Sequence, residues 1–320
     1  MIQTTTTAHT NIALIKYWGK KDPVLHLPYT DSLSLTLDGY YTTTTTSFLA
    51  GDTDQVRVNN QVAGPQFFKR TQHFLNLVRT LNNSQQAIAV ETINHVPTAA
   101  GLASSASGFA ALSGSLNKLF QMNLSRKELS CLARRGSGSA TRSIYGGFVQ
   151  WHQGKDNSSS FAEAIDENPS LPIRLISVVI SKQAKKISST EGMKHAVSTS
   201  PFYAQWPQVV NCDMKAMLQA LKTQDLEAVG KIAENNCLAM HALNWTSRPA
   251  FSYFTKETLQ IINLVHQLRS RGYCAYYTID AGANVKVITS LQDVAAVQQQ
   301  IQLNFPQAQL TPLKPGPGIQ

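Results

Sequence analysis

A run of mainly small and hydroxylated residues, PTAAGLASSASG at 97–108, constrains the fold more than any other segment. It follows a predicted strand at 87–93 and precedes an apolar helical pattern at 109–120. A helix start presents unpaired N–H groups and the positive end of the helix dipole, which together bind phosphate. The run lacks the Gly-Lys-Ser/Thr ending of a Walker A loop. It therefore predicts a phosphate loop of another kind; the alternative is a small-residue turn against which a helix packs closely.

Strictly alternating and β-branched segments predict strands near the N-terminus. The segment SLSLTL at 32–37 alternates residue by residue and leads into a threonine tract at 42–46. A second threonine tract lies at 4–7. Such residues suit a half-buried sheet.

Local turn and capping signals place further elements. Two asparagines, Asn59 and Asn60, separate short strand patterns and indicate a hairpin. Ser125 and Glu128 form a capping box that starts a helix. Further helices are predicted at 66–82, 207–222, 225–241, 255–270 and up to about 303, and further strands at 173–180, 273–279, 285–289 and 308–313. Because strands and helices mix without regular alternation, we expect an α+β chain of two lobes, residues 1–180 and 181–320.

Charge and composition limit the possible partners. The 320 residues carry 28 Lys and Arg against 19 Asp and Glu, a formal net charge of +9, which favours an anionic partner. The basic residues are scattered singly or in pairs, so no run has the length of a nucleic-acid arm or a polybasic membrane anchor. A phosphorylated small molecule is the expected partner, with neither nucleic acid nor membrane.

The chain shows no sign of export or of a built-in metal centre. Its four cysteines contain no Cys-x-x-Cys pair, and no histidine has a partner at metal-binding spacing. No stretch approaches the ~20 apolar residues of a membrane span, and the N-terminus lacks a secretory pattern. We therefore expect a cytoplasmic protein with reduced thiols.

Three charged residues are candidates for chemistry. Arg142 lies in the segment GSGSATRS, where its fork can grip a carboxylate or a phosphate; the alternative is a flexible surface loop. Asp280 directly follows the strand 273–279, a common placement for a catalytic carboxylate and also for an ordinary turn. Lys16 belongs to a basic, aromatic segment, and the alternative is a strand edge with solvated lysines.

Seven segments, in order and spread over nearly the whole chain, resemble the mevalonate diphosphate decarboxylase family. They are AHTNIALIKYWGKKD (8–22), SLSLTL (32–37), PTAAGLASSASGFAAL (97–112), GSGSATRSIYGG (136–147), KKISSTEGM (185–193), RPAFSYFT (248–255) and DAGANVKV (280–287). The IKYWGK segment and the serine-arginine loop separate this family from its kinase relatives. The resemblance implies the two-lobed fold shared with galactokinase, homoserine kinase, mevalonate kinase and phosphomevalonate kinase, with the active site between the lobes.

The resemblance also implies an ATP- and Mg²⁺-dependent enzyme. Its substrate would be (R)-5-diphosphomevalonate, and its products isopentenyl diphosphate, CO₂, ADP and phosphate, formed through phosphorylation of the C3 hydroxyl. Family members are commonly homodimers, and we expect the same here. Two alternatives stay open: a kinase of the same fold that phosphorylates the C3 hydroxyl and stops, and a nucleic-acid-binding module suggested by the basic charge.

Residue roles follow from the matched motifs. Asp280 corresponds to the catalytic carboxylate, Arg142 to the arginine on the substrate carboxylate, and Lys16 to the lysine beside them. The expected substrate-binding residues are Tyr17, Lys20, Ser137, Ser139, Ser188 and Ser189. The expected ATP-binding residues are Gly101, Leu102, Ala103, Ser104, Ser105, Ala106, Ser107 and Lys185, with Ser105 reaching Mg²⁺.

Three positions depart from the family pattern. Thr190 stands where many bacterial members carry an arginine that helps to bind the diphosphate. Asp31 replaces the usual Asn or Ser, which would place a negative charge near an anion site if it faced inward. Ala283 replaces a frequent Pro, a change expected to affect loop stiffness alone.

Overall fold

The computed structural model describes residues 2–96, 104–181, 183 and 186–320, with the backbone but not the side chain of Ser104. Within these residues the strands are β1 (Gln3–Ile15), β2 (Lys20–Asp22), β3 (Leu27–Pro28), β4 (Ser32–Phe48), β5 (Gln55–Val58), β6 (Gln61–Val62), β7 (Ile88–His95), β8 (Phe148–Trp151), β9 (Ala162–Asp166), β10 (Ile173–Val179), β11 (Ala275–Ile279), β12 (Val285–Ser290) and β13 (Gln309–Leu313). The α-helices are α1 (Pro65–Leu81), α2 (Ser104–Leu119), α3 (Arg126–Gly136), α4 (Ser189–Thr199), α5 (Trp206–Lys222), α6 (Leu226–Trp245), α7 (Lys256–Ser270) and α8 (Val294–Asn304). Short 3₁₀ segments span Gly138–Ile144 and Tyr203–Gln205. The predicted α+β class is confirmed.

The long strand β4 organises the first sheet. It pairs antiparallel with β1 along both its halves, with β7 near its C-terminal end and with β8 near its N-terminal end. The threonine tracts alternate as predicted. Thr42, Thr44 and Thr46 are buried beneath the helices, whereas Thr43 faces outward, where its hydroxyl lies 3.0 Å from that of Thr7.

The predicted turn and capping signals are confirmed. Asn59 and Asn60 both adopt left-handed backbone conformations, with φ of 51° and 64°, and join β5 to β6. Asparagine tolerates this region better than most residues do. The Ser125 hydroxyl accepts the Glu128 N–H, and the Glu128 carboxylate accepts the Ser125 N–H, so the capping box starts α3.

The second sheet has the order β11-β12-β10-β13 and is antiparallel throughout. Helices α7 and α8 pack on one of its faces, in a core that includes Val265, Ile301 and Val287. A larger apolar cluster joins Ile12 and Leu14 of β1 to residues of α5 and α6. This shared core fixes the first strand against the second half of the chain, so a cleft can form where β1 ends.

Several elements were not predicted from the pattern. They are the β2–β3 hairpin, β8, β9 and α4, and α6 continues to Trp245 rather than ending near 241. The segment GSGSATRS at 136–143, for which a flexible surface loop was an alternative, runs from the end of α3 into the mostly buried 3₁₀ segment Gly138–Ile144. Its polar groups bond internally, as in the 2.8 Å bond from the Thr141 hydroxyl to the Gly138 carbonyl, so its low hydrophobicity does not imply solvation.

The last residues return to the first sheet. Gly316 N–H donates to the Thr36 carbonyl, and Ile319 packs among the side chains of the first helical layer. Gln320 exchanges two backbone bonds, of 2.9 and 3.0 Å, with Thr7 on β1. The edge of β1 is therefore covered at Thr7 by the far end of the chain. The division at residue 180 stays a prediction.

Candidate active site

A cleft of about 330 Å³ lies where β1 meets the second half of the chain. It is lined by Asn11, Ala13, Lys16, Tyr17, Trp18, Lys20, His26, Arg70, Ser105, Ser137, Gly138, Ser139, Arg142, Ser188, Ser189, Thr190, Met193, Met240, Asp280 and Ala281. Among the described lining residues, four side chains are Lys or Arg and one is a carboxylate. The cleft therefore suits a ligand with several negative charges.

Lys16 and Asp280 meet at the centre of the cleft. The Lys16 Nζ lies 2.6 Å from the Asp280 Oδ1 and 2.9 Å from the Ala13 carbonyl oxygen. Lys16 is 1% exposed, so the alternative of a solvated lysine is wrong here. The Asp280 side chain is 27% exposed and keeps one face toward the cleft. The sequence segments at 8–22 and 280–287 are thus brought into direct contact.

The charge state of Asp280 is set by competing effects. Burial acts to raise the pKa of this carboxyl, but the cations Lys16, Lys286 and Arg142 act against it. The cations prevail, and the pKa of Asp280 lies below its usual value. The group is consequently ionised at neutral pH and can accept a hydrogen bond or a proton.

Helix α6 fixes the backbone on both sides of this pair. The Asn236 Oδ1 accepts the Lys16 N–H at 2.7 Å, while the Asn236 Nδ2 donates to Asp213 at 2.7 Å. The Ile279 N–H donates to the Cys237 Sγ at 3.1 Å, and the Ile279 carbonyl oxygen lies 3.2 Å from the His241 Nε2. One rigid element thereby positions Lys16 and the residue before Asp280.

Arg142 is held by two neighbours on adjacent strands. Its Nε and Nη2 donate to the Asn11 Oδ1 at 3.3 and 3.2 Å, and its Nη1 donates to the Ser32 Oγ at 2.6 Å. Burial lowers the pKa of Arg142 to about 10, although Asp280 acts to raise it. The residue is 3% exposed, which excludes the solvated alternative. A guanidinium has five N–H donors, so the fork keeps donors for an anion in the cleft.

Tyr17, Lys20 and Arg70 also line the cleft. Burial, followed by the nearby Arg70 charge, lowers the pKa of Lys20 to about 8. The Tyr17 hydroxyl is buried without a hydrogen-bond partner among the described residues. Gly138 makes room for it, because a Cβ there would lie 3.0 Å from this oxygen. Tyr17 thus presents an unsatisfied polar group that a ligand oxygen can bond.

Three serine hydroxyls also line the cleft and lie close to one another. The Ser137 Oγ lies 3.4 Å from both the Ser105 Oγ and the Ser139 Oγ, and all three residues line the cleft. Ser105 stands in the first turn of α2, where backbone N–H groups and the helix dipole favour an anion. Helix α2 therefore begins at the cleft, as the strand, loop and helix pattern predicted.

The rest of the predicted ATP segment is only partly described. Gly101, Leu102, Ala103 and Lys185 lie outside the described residues, as does the side chain of Ser104. Ala106 and Ser107 are buried and do not line the cleft; the Ser107 Oγ lies 2.7 Å from the Thr42 Oγ1. The assignment of these two residues to ATP binding stays a prediction.

Ser188, Ser189 and Thr190 enter the cleft from the start of α4. Ser188 is the N-cap of this helix, and its Oγ accepts the Glu191 N–H at 3.2 Å. A hydroxyl that accepts a bond still carries an O–H for a ligand.

The departure at Asp31 does not affect the cleft lining, because its carboxylate accepts bonds from Gln150 and Gln153.

Several cleft residues were not predicted from the sequence. Arg70 lies on α1, outside all seven segments that carry the family resemblance. Its Nη2 donates to the Gly136 carbonyl at 2.9 Å. His26 lies at the tip of the β2–β3 hairpin, and Met240 lies on α6. Asn11 is two residues from Ala13 on β1, so strand alternation could have indicated that both face the cleft.

No group of three or more His, Cys, Asp or Glu that could hold a metal occurs within the residues described. Mg²⁺ keeps several waters and binds largely through substrate phosphates with one or two protein oxygens. The Ser105 hydroxyl fits that sparse donor set. No helix in the described part of the chain has the length and apolar character needed to cross a membrane.

Comparisons with known proteins agree over almost the whole chain. Residues 8–162 match the diphosphomevalonate decarboxylase-like N-terminal domain, and residues 175–314 match the mevalonate 5-diphosphate decarboxylase C-terminal domain. The diphosphomevalonate decarboxylase of Aspergillus fumigatus is 37% identical over 88% of this chain and 76% of that protein. The human diphosphomevalonate decarboxylase is 34% identical over 94% of this chain and 80% of that protein.

Solved structures give the same result. A mevalonate diphosphate decarboxylase structure from Enterococcus faecalis is 44% identical, with a TM-score of 0.95 and coverage of 100% of this chain and 98% of that one. The Staphylococcus aureus enzyme is 38% identical, with a TM-score of 0.96 over 99% and 97% of the two chains. A further structure, described as MDDEF in complex with MVAPP, AMPPCP and magnesium, is 44% identical over 100% and 98%, with a TM-score of 0.96.

Proposed function

Because the chain belongs to the diphosphomevalonate decarboxylase family, we propose that Lys16, Arg142 and Asp280 carry out its reaction in the cleft between the lobes. The chain is an enzyme of this type and catalyses the ATP-dependent decarboxylation of mevalonate diphosphate. The observation that carries the assignment of residues is the Lys16–Asp280 pair, at 2.6 Å, in a cleft that Lys20, Arg70 and Arg142 also line.

Asp280 is placed to act on the C3 hydroxyl of the substrate. Its ionised carboxylate can accept or orient the hydroxyl proton while the oxygen attacks the terminal phosphate of ATP. Lys16 offsets the charge of this carboxylate and can also stabilise negative charge that develops on the transferred group. The tertiary hydroxyl thereby becomes a phosphate ester, which is a far better leaving group.

Arg142 is placed to hold the carboxylate that leaves as CO₂. When the C3–O bond breaks, its electron pair departs with the phosphate and positive charge develops at C3. The C–C bond to the carboxylate then supplies the electrons of the new double bond. Asn11 and Ser32 fix the Arg142 fork, so its remaining donors can orient that carboxylate without rearrangement.

The diphosphate is assigned to the end of the cleft that carries Tyr17, Lys20 and Arg70, with the Ser137 and Ser139 hydroxyls beside them. Ser188 and Ser189 would contact the substrate from α4. Mg²⁺ would neutralise charge on the nucleotide phosphates, and Ser105 is the residue assigned to hold it. Ala106, Ser107 and the predicted residues outside the described range stay predictions for the nucleotide.

Product identification tests the function directly. The protein is incubated with mevalonate diphosphate, ATP and Mg²⁺, and CO₂, isopentenyl diphosphate and ADP are quantified together. Equal amounts of the three are expected. ADP and a phosphorylated substrate without CO₂ would favour the C3-hydroxyl kinase instead. Omission of ATP is the control, because decarboxylation without phosphorylation would contradict the assigned order.

Thr190 offers a test of how the substrate is bound. It lines the cleft at the start of α4, where an arginine would face the ligand. Thr190→Arg should lower KM more than it changes kcat, since it adds binding common to the ground and transition states. An unchanged KM would mean that Lys20 and Arg70 already fill this role.

A homodimer and a cytoplasmic location are further proposals that follow from the family resemblance. Sedimentation velocity over a range of protein concentrations tests the first. Fractionation of cells that produce the protein tests the second. A monomer at all concentrations would overturn the dimer without affecting the assigned chemistry.

A further inference from the structure

His26 occupies a fixed position at the diphosphate end of the cleft. It lies between β2 and β3 with a φ of 54°, and its Nδ1 is 2.9 Å from the Arg134 carbonyl oxygen. The Arg134 Nε in turn donates to the Leu25 carbonyl at 3.0 Å. Two bonds to a buried arginine therefore hold the tip of this hairpin in place.

The anchoring bond defines the tautomer of the ring. A carbonyl oxygen only accepts hydrogen bonds, so the His26 Nδ1 must carry the hydrogen. The neutral ring then has its lone pair on Nε2. Because His26 lines the cleft, this nitrogen is the polar atom that the ring can offer to a ligand. A phosphate oxygen, however, needs a donor, which Nε2 becomes only when it is protonated.

The surroundings of His26 oppose protonation while the cleft holds no anion. Burial and the positive charges of Lys20 on β2, Arg70 on α1 and Arg135 on α3 lower its pKa to about 4, against a smaller opposing effect of the Arg134 carbonyl. These cations face the ring from three separate elements. A bound diphosphate would offset these positive charges, and its negative charge beside the ring would favour the protonated form.

We propose that His26 is a ligand of the substrate diphosphate, and that its imidazole takes up a proton from solvent when the diphosphate enters beside Lys20 and Arg70. This inference rests on the proposed function. The protonated His26 Nε2 is then a cationic hydrogen-bond donor that is present only while the diphosphate is bound. The chain would thus gain, from the β2–β3 hairpin, a contact that position 190 does not supply.

Proton uptake on binding tests the proposal. Mevalonate diphosphate is titrated into the protein without ATP, by calorimetry at pH 6.0, in two buffers that differ in ionisation enthalpy. The dependence of the observed enthalpy on the buffer gives the number of protons taken up. Because the ligand titrates too, the informative quantity is the difference between wild type and His26→Gln. We expect the wild type to take up more protons and to bind about tenfold more tightly, a size typical of one charge-assisted bond.

Two further variants make the comparison specific. His26→Asn cannot titrate but suits the left-handed backbone at this position, so it separates loss of the imidazole from loss of the turn. His73→Gln makes the same exchange at an exposed site on α1 outside the cleft. The Gln and Asn variants at 26 should both lose the extra uptake, and His73→Gln should retain it. Wild-type uptake in either variant at position 26 would overturn the proposal.

Inorganic pyrophosphate, used as a second probe, separates this inference from the proposed function. If pyrophosphate binds with His26-dependent uptake but mevalonate diphosphate does not bind, the site stands and the substrate assignment fails. If mevalonate diphosphate binds and all variants take up equal numbers of protons, the function stands and the role of His26 is wrong. Failure of both ligands to bind would overturn the proposed diphosphate site itself.

Discussion

Replacement of Asp280 by Asn tests catalysis and electrostatics in one variant. Asn is nearly isosteric with Asp and suits a turn equally well, so the 2.7 Å bond from the Gly282 N–H to the carbonyl of residue 280 can persist. The variant cannot take a proton from the C3 hydroxyl. It also removes the negative charge that balances Lys16, whose ammonium then keeps neutral acceptors such as the Ala13 carbonyl at 2.9 Å.

The substitution should change both turnover and the free energy of unfolding. Loss of a general base predicts turnover at least ~10²-fold slower. Removal of one partner from a buried ion pair costs about 3–5 kcal/mol when both ions are fully desolvated. Lys16 is buried, but the Asp280 side chain is 27% exposed, so water screens the pair in part. We therefore expect Asp280→Asn to lower the free energy of unfolding by about 2–3 kcal/mol at pH 7.

The stability difference should depend on pH with a definite sign. The pKa of Asp280 is lowered in the folded protein, so its contribution is present above the unfolded value near ~4 and disappears as the pH falls through the folded value. Wild type and variant should therefore converge in acid.

Turnover, nucleotide affinity and denaturant unfolding are measured on the same preparations. The double variant Lys16→Met with Asp280→Asn also removes the unbalanced ammonium of Lys16. It should recover part of the lost free energy of unfolding but none of the activity. Glu227→Gln is the matched control, because Glu227 pairs with Lys231 on an exposed helix face, where such pairs contribute little. Turnover of Asp280→Asn within a few-fold of wild type would refute the catalytic role. Unchanged stability would refute the electrostatic reasoning alone.

Three further variants test the surrounding residues. Arg142→Lys should lower kcat at least ~10²-fold, because a compact ammonium lacks the planar fork that bonds Asn11 and Ser32 while it faces a carboxylate. Kinetics at saturating ATP check this, and near-normal turnover would remove Arg142 from the site. The pKa of Lys20 is near 8, so kcat/KM should fall as the pH rises above 8, and Lys20→Arg should flatten that fall. Asn236→Ala leaves the Lys16 N–H unpaired and should lower both kcat and the free energy of unfolding, the latter by about 1–3 kcal/mol in denaturant titrations; a stable, fully active variant would contradict the positioning role.

The sequence predicts elements whose signal is local. The capping box at Ser125 and Glu128 and the turn at Asn59 and Asn60 are formed by neighbours in the chain, so their residue types suffice. The 3₁₀ segment Gly138–Ile144 has no apolar period; hydrogen bonds within it and from Asn11 on β1 help to hold it. Periodicity gave no indication of that segment or of α4.

The site residues also differ in whether the sequence predicts them. The resemblance predicts that Lys16 and Asp280 lie close together, and the structure joins them directly. Arg70 and Asn236 reach the site from α1 and α6 through packing of distant helices, and no spacing in the sequence encodes such contacts. Ser107 on α2 likewise contacts Thr42 on β4, 65 residues earlier in the chain.

The backbone bonds between Thr7 and Gln320 have a consequence for synthesis. The ribosome releases β1 long before the segment that covers its edge at Thr7. Contacts between such distant parts of a chain form slowly. Throughout elongation β1 therefore presents an open edge, which can pair with another nascent strand. Translational pauses just before the codon for Lys314 should accordingly increase aggregation more than pauses of equal length placed before β1 is made.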